Sequence, residues 1–440
     1  MIHGPGLPSP FVASLGGAPE TPWYRTLLRF IGPGSMIAVG YMDPGNWATD
    51  LSGGSQFYYN PLFAILFAST VAMLLQSLAV KAGLVTGKDL AELCRHSFNP
   101  WANFFLYLTA EAAIIATDLA EVIGAAIALN LLFKCPLPWA VAITGLDVLI
   151  ILFGFGPKYL RWFEFGIMAL VGIIGVCFVA LLIKVGPNWG DVFEGYIPHR
   201  ELFTNGDQLW IFMGIVGATI MPHNLFLHTH LIQYRYSQTA PATLLPTGTI
   251  VPEAFEKADA PLARHHMKLL PKTIKYTTID CILSLTYALF INSAILIVAG
   301  AAFYTTGNTQ IATLHDAYDL LGKLLSPAFA VIFGIALLAS GQSSTITGTI
   351  AGQVVMSGFL GSRFRVKPWV RRLVSRGLAL IPALVVVLVK GSNGLDELLV
   401  VSQVILSVQL PFSIWPLIWF TSRKGEGSSW IYSIRLDTTY

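Results

Sequence analysis

The sequence predicts an all-α polytopic membrane protein built as two inverted five-helix repeats with broken first and sixth helices. Three observations predict it. Of 440 residues, 54% are apolar and 12% charged, and the mean hydropathy is +0.65; an ordinary soluble domain carries roughly a quarter charged residues. The apolar residues come in runs, and about 20 of them cross a hydrocarbon core about 30 Å thick. Two of those runs are interrupted in their middles, by Asp43-Pro44-Gly45-Asn46 and by Met221-Pro222-His223-Asn224. A soluble enzyme, a disordered chain and a disulfide-stapled module are excluded by this composition. An outer-membrane barrel is disfavoured, because its strands alternate and are only about ten residues long.

Read with that ruler, the chain gives ten spans, at 28–50, 57–83, 101–132, 137–156, 162–184, 207–234, 274–304, 321–360, 369–390 and 397–420. A tail of residues 1–27 precedes a first five-helix repeat at 28–184. The second repeat covers 207–420 with a polar loop at 235–272, and a tail at 421–440 follows. With the N-terminus placed in the cytoplasm, 22 of the 27 Lys and Arg residues fall on the cytoplasmic side and 5 outside. That asymmetry places both termini inside. The absence of a signal peptide and of any Asn-x-Ser/Thr sequon is in keeping with a bacterial inner membrane. A net charge of +3, spread over many loops, gives no reason to expect a nucleic-acid partner. Cys94, Cys135, Cys177 and Cys281 stand far apart, so neither a disulfide framework nor a cysteine zinc site is expected. His265-His266 in the polar loop reads as a solvated pair.

Pro44 with Gly45 in the first span, and Pro222 in the sixth, remove helix hydrogen bonds inside the membrane. Irregular backbone survives there only where it is buried in protein or lines a watery cavity. Either break alone reads as an ordinary proline kink. Breaks at matching positions of two halves, each five spans long and therefore antiparallel, point to a transporter's central site. Asp43 offers a charged oxygen, Asn46 an amide oxygen, and Met221 a thioether. Unwinding frees carbonyls such as those of Gly40 and Ala218. Oxygens alone suit magnesium or calcium, and a sulfur tilts the set toward manganese, iron and later transition metals.

Glu111, Asp118 and Glu121 share one face of the third span. Charges at this depth mark ion or proton routes. Their candidate partners are His223 and Arg371/Arg372, which open the ninth span. Two readings stand side by side, a proton relay through a titrating histidine and a static ion-pair network. Asp280 and Glu164 sit near span ends where a carboxylate reaches the interface, and Asp147 is uninformative. His228 lies about 140° around the helix from His223 and need not face the same cavity. Gln342, Gln403 and Gln409 are polar interruptions that bond across helices or gate a cavity. No metalloprotease, serine-hydrolase or P-loop motif appears, so an enzyme is not expected.

These motifs resemble the Nramp family. The resemblance is carried by Gly32-Pro33-Gly34 with Asp43 to Asp50, by Ala218-x-x-Met221-Pro222-His223-Asn224, and by Ala339-Ser-Gly-Gln342-Ser-Ser-Thr345 with Gly348 to Gln353. Thr117-Asp118-Leu-Ala-Glu121 and Ser402-Gln403 with Gln409-Leu-Pro-Phe412 also fit. The resemblance spans residues 27–422 apart from the loop at 237–270. It implies a LeuT-like fold and proton-coupled uptake of manganese and ferrous iron by alternating access, with cadmium, cobalt and zinc accepted. Asp43, Asn46, the Ala218 carbonyl and Met221 would be metal ligands. Gln403 would close over the ion, with Gly45 and Pro222 shaping the gate. His223, Glu121, Asp118, Glu111, Arg371, Arg372 and His228 would carry or brace the proton route. The substrates would be Mn2+, Fe2+ and protons, with no resident cofactor, and the monomer would be functional within the bilayer. A longer loop before the seventh span, and a chain that stops soon after the tenth, depart from the family pattern. Met221 separates the chain from the family's magnesium-transporting branch, the next reading. A passive channel is the third.

Overall fold

The structure is a computed structural model that describes residues 33–154, 178–239, 260–305, 313–324, 326–361 and 368–422, with single positions between 169 and 176 and at 307. Everything regular among these residues is helical. In chain order the helices are α1 (Pro33–Gly40), α2 (Pro44–Phe57), α3 (Leu62–Thr86), α4 (Leu90–Ser97), α5 (Pro100–Phe133) and α6 (Leu137–Gly154). Helical residues 178–185 lead to α7 (Trp189–Gly195), α8 (Glu201–Thr204), α9 (Gly206–Ile220) and α10 (Pro222–Thr239). Then come α11 (Ala260–Ala299), a π-helical turn at Gly300–Tyr304, α12 (Leu314–Leu324), α13 (Pro327–Leu360), α14 (Pro368–Lys390) and α15 (Ser392–Ser422). Seven stretches among the described residues are long and apolar enough to cross a membrane.

Both expected interruptions are present. The first span divides into α1 and α2 around Tyr41–Asp43, and the sixth divides into α9 and α10 at Met221. Local sequence explains each break. Asp43 adopts extended backbone (φ −68°, ψ 165°) and caps α2, with Pro44 at the first helical position, where its missing N–H costs nothing. Met221 takes the left-handed conformation (φ 48°, ψ 89°), uncommon for a side chain of this size, and Pro222 starts α10.

Two expected boundaries differ. The eighth span, read as one run from 321 to 360, is two helices, because Ser326 is extended and Pro327 opens α13. The polar stretch at 235–272 carries helix at both ends, up to Thr239 and from Ala260. Its His265-His266 side chains lie outside the described residues, as does Glu164.

The two halves interleave rather than sit apart. α13 packs along α5, α15 along α9 and α5, and α11 against α1, α2 and α3. Small residues allow this, since apolar side chains gain little by leaving lipid and close backbone approach supplies the attraction. Gly217 in α9 is the tightest case. A Cβ there would strike the Gln403 carbonyl of α15 and lie 2.6 Å from the Ser407 nitrogen. Gly217→Ala should therefore force α9 and α15 apart, at about 1–3 kcal/mol. A fall in melting temperature of the detergent-purified variant is the expected readout, and an unchanged melting curve would contradict this packing.

Asp280, near the end of its span, is turned into the protein. It is 2% exposed, and its Oδ2 accepts from the Gly34 N–H at 2.8 Å, capping the first turn of α1. The inward carboxylate meets one of the N–H groups that the start of a helix leaves without an intrahelical acceptor.

Candidate functional site

The two breaks meet at the centre of the molecule. Asp43 uses one oxygen as a cap: Oδ1 accepts from the Asn46 N–H at 2.8 Å and from Asn46 Nδ2 at 2.7 Å. Asn46 Nδ2 also donates to the Ala218 carbonyl at 3.0 Å. Two acceptors, one from each broken helix, thus converge on a single partly positive amide group. The other carboxylate oxygen, Asp43 Oδ2, is buried with no hydrogen-bond partner among the described residues, and so is Gln403 Oε1. A buried carboxylate oxygen left unpaired is expensive. Asp43, Asn46 and Met221 are each 1% exposed, and Ala218 and Gln403 are fully buried.

Neighbouring helices hold the unwound backbone open. In the first break, Asp43 N–H bonds to the Gly40 carbonyl at 3.3 Å, so that carbonyl is already engaged. The Tyr41 carbonyl accepts from Asn292 Nδ2 of α11 at 3.1 Å, and the Met42 carbonyl from Ser340 Oγ of α13 at 2.7 Å. In the second break, Tyr41 Oη reaches the Ile220 carbonyl at 3.5 Å, and Thr219 Oγ1 donates to Asn46 Oδ1 at 3.4 Å. Gln403, on α15, lies directly against Gly45, where any side chain would displace its amide. Pro222 follows Met221 at the first position of α10.

A second polar group runs along α5. Asp118 and Glu121 are fully buried, and both face the bare Gly348 of α13: a Cβ there would lie 3.0 Å from Glu121 Oε1 and 3.8 Å from Asp118 Oδ1. Thr117, beside Asp118, places Oγ1 3.3 Å from His223 Nδ1 and thereby links α5 to the second break. Beyond Glu121 the chain of groups ends on Arg376, whose Nη1 is 3.7 Å from Glu121 Oε2 and whose Nη2 donates to the Thr144 carbonyl at 3.0 Å. Arg376 is 2% exposed. Arg376 is not among the arginines expected from the sequence, Arg371 and Arg372, whose side chains lie outside the described residues. The available signal was its depth, more than a turn inside the ninth span. Glu111 is only half-buried.

His228 does not join this group. Its Nδ1 lies 2.7 Å from Gln76 Oε1 of α3, and Gln76 Nε2 donates to Tyr41 Oη at 3.0 Å. The five-residue offset from His223 turns it toward α3 and the first break. Gln409 bonds within its own helix to Ser413, at 2.9 Å. Asn292, Ser340, Thr219 and Gln76 were also missed, because nothing local in the sequence says which helices surround a break.

A family model described as natural resistance-associated macrophage protein-like, Nramp, matches residues 34–431. A divalent metal cation transporter MntH of a Nostoc species is 48% identical over 403 residues, covering 91% of this chain and 85% of the relative. The protein of that name from Listeria innocua is 47% identical over 413 residues, covering 93% and 86%. Among solved structures, the manganese transporter of Eremococcus coleocola, in complex with an aromatic bis-isothiourea substituted compound, superposes with a TM-score of 0.75 at 36% identity, covering 94% of this chain and 83% of that one. The nucleobase-cation symporter Mhp1 in a closed conformation, at 15% identity, TM-score 0.52 and coverage of 84% and 74%, shares the fold alone.

Proposed function

The chain belongs to the Nramp family, and on that premise we propose that it is a secondary transporter importing divalent transition metals by alternating access, coupled to protons. It is a multi-pass membrane transporter and not an enzyme. Manganese and ferrous iron are the proposed substrates, with cadmium, cobalt and zinc accepted. The proposed setting is a bacterial inner membrane with both termini cytoplasmic, following the charge asymmetry of the loops.

The reading rests on a buried carboxylate, one oxygen of which has no hydrogen-bond partner among the described residues, at the meeting of two broken helices beside an amide and the Ala218 carbonyl, with the Met221 thioether on the second break against Gly40 of the first. The ion would take the place of the Asn46 amide protons. Asp43 would supply the charge, the Ala218 carbonyl and a turned Asn46 amide would supply oxygens, and Met221 would supply sulfur. Gln403, already against Gly45, would bring its unpaired Oε1 to the ion as the cavity closes. The names of the relatives, divalent metal cation transporter and manganese transporter, support the substrate class. A set containing sulfur disfavours magnesium, whose small, strongly hydrated ion prefers oxygen.

The row Thr117–His223, Asp118, Glu121, Arg376 is the proposed proton route. Neutral substitutions His223→Ala, Asp118→Asn and Glu121→Gln should lower proton flux or change its pH dependence by about tenfold while metal binding changes less. Simultaneous pH-dye and metal-dye recordings in proteoliposomes test this. Unchanged coupling in all three variants, or loss of folding in all three, would favour a static brace.

A further inference from the structure

We propose that Asn224 is a positioning residue that aims the Met221 sulfur, and so sets the preference for soft over hard ions. The inference rests on the reading of Met221 as a ligand. Asn224 Nδ2 donates to Met221 Sδ at 3.3 Å, and both residues are 1% exposed. The Asn224 N–H also bonds to the Met221 carbonyl at 3.0 Å, so the two residues are tied at backbone and side chain in the first turn of α10. Methionine at a helix cap cannot satisfy N–H groups as Asp43 does on the other broken helix. Here the contact runs the opposite way, with a side chain inside the helix reaching back to the cap residue.

Space for the contact comes from α1. A Cβ on Gly40 would lie 2.8 Å from Asn224 Nδ2 and 3.4 Å from Met221 Sδ. The last residue of α1 is therefore bare where the amide meets the sulfur, and the first broken helix takes part in holding the thioether of the second.

The physical consequence is preorganisation. A methionine side chain has three rotatable bonds and a weakly accepting sulfur, so an unrestrained thioether loses rotamer freedom when it binds an ion. An amide donor engages one sulfur lone pair and fixes the direction of the other, lowering that cost in advance. Ions that bind sulfur well gain most from a fixed thioether, whereas ions held mainly by oxygen gain little. Without the amide, cadmium affinity should fall by about 3–10-fold and manganese affinity by less than about twofold, the effect of freeing one flexible side chain.

The test is calorimetric titration of the purified full-length protein with cadmium chloride and with manganese chloride. It compares the parent with Asn224→Leu, Asn224→Ala, Met221→Ala and the double variant Met221→Ala/Asn224→Leu. The expected result is a lower cadmium-to-manganese affinity ratio in both Asn224 variants, with no further change when Asn224→Leu is added to Met221→Ala. An unaltered ratio in both Asn224 variants, beside a lowered ratio in Met221→Ala, overturns the inference and leaves the ligand reading intact. An unaltered ratio in Met221→Ala removes the ligand reading itself. An equal further fall in the double variant, or failure of both Asn224 variants to give monodisperse protein, assigns Asn224 a structural role and overturns the proposal.

Discussion

Asp43→Ala should abolish metal uptake while leaving folded protein in the membrane. Asp43 is the one full charge among the proposed ligands, and hard and borderline cations alike need it to offset the loss of their hydration. The folding argument is separate. The variant loses the helix cap, about 0.5–2 kcal/mol, but it also removes a buried oxygen with no partner among the described residues, Asp43 Oδ2, whose burial is costly. The two effects oppose each other, so the melting temperature should change little while uptake disappears. Radiolabelled manganese uptake beside a thermal melt reads both. Uptake within about twofold of the parent would remove the site assignment, and a large loss of stability would show that Asp43 is chiefly a cap.

Arg376→Leu should be the most destabilising single substitution in the polar row. It leaves Glu121 fully buried without the guanidinium 3.7 Å away, and breaking such a pair from one side costs about 3–5 kcal/mol. Adding Glu121→Gln should restore most of the stability, because the buried carboxylate charge that Arg376 faced is then gone. It should not restore proton coupling, since the titrating carboxylate is gone as well. A melt series over the two single variants and the double variant measures the coupling between them. Additive losses would show that the two groups do not form a working pair. Restored coupling in the double variant would show that protons do not pass through Glu121.

Both breaks were legible in the sequence because their causes are local. Asp43-Pro44 is an N-cap followed by proline, and Pro222 cannot continue the helix of α9, whatever surrounds them. The candidate ligands were legible for the same reason, since each lies within a few residues of a break. What holds the breaks open was not legible. Asn292 and Ser340 bind carbonyls 251 and 298 residues away in sequence, and only the packing of α11 and α13 on α1 brings them there. Arg376 went unnoticed for a similar reason. Arg371 and Arg372 stand out at the mouth of the span, whereas Arg376, further along it, meets Glu121 only through the packing of α14 on α5. The role of Asp280 as a cap for α1 was equally out of reach, since Gly34 lies 246 residues away in sequence.

On this reading the oxygens at the two breaks, with the Met221 sulfur, carry a transition metal driven by protons. Uptake into proteoliposomes holding the parent protein tests it most directly, with manganese and magnesium compared at equal concentration, each with and without an inwardly directed proton gradient. The expected result is manganese uptake that the gradient accelerates, acidification of the lumen in step with it, and no magnesium uptake above empty vesicles. Magnesium uptake equal to that of manganese, or manganese uptake indifferent to the gradient and without acidification, would contradict it.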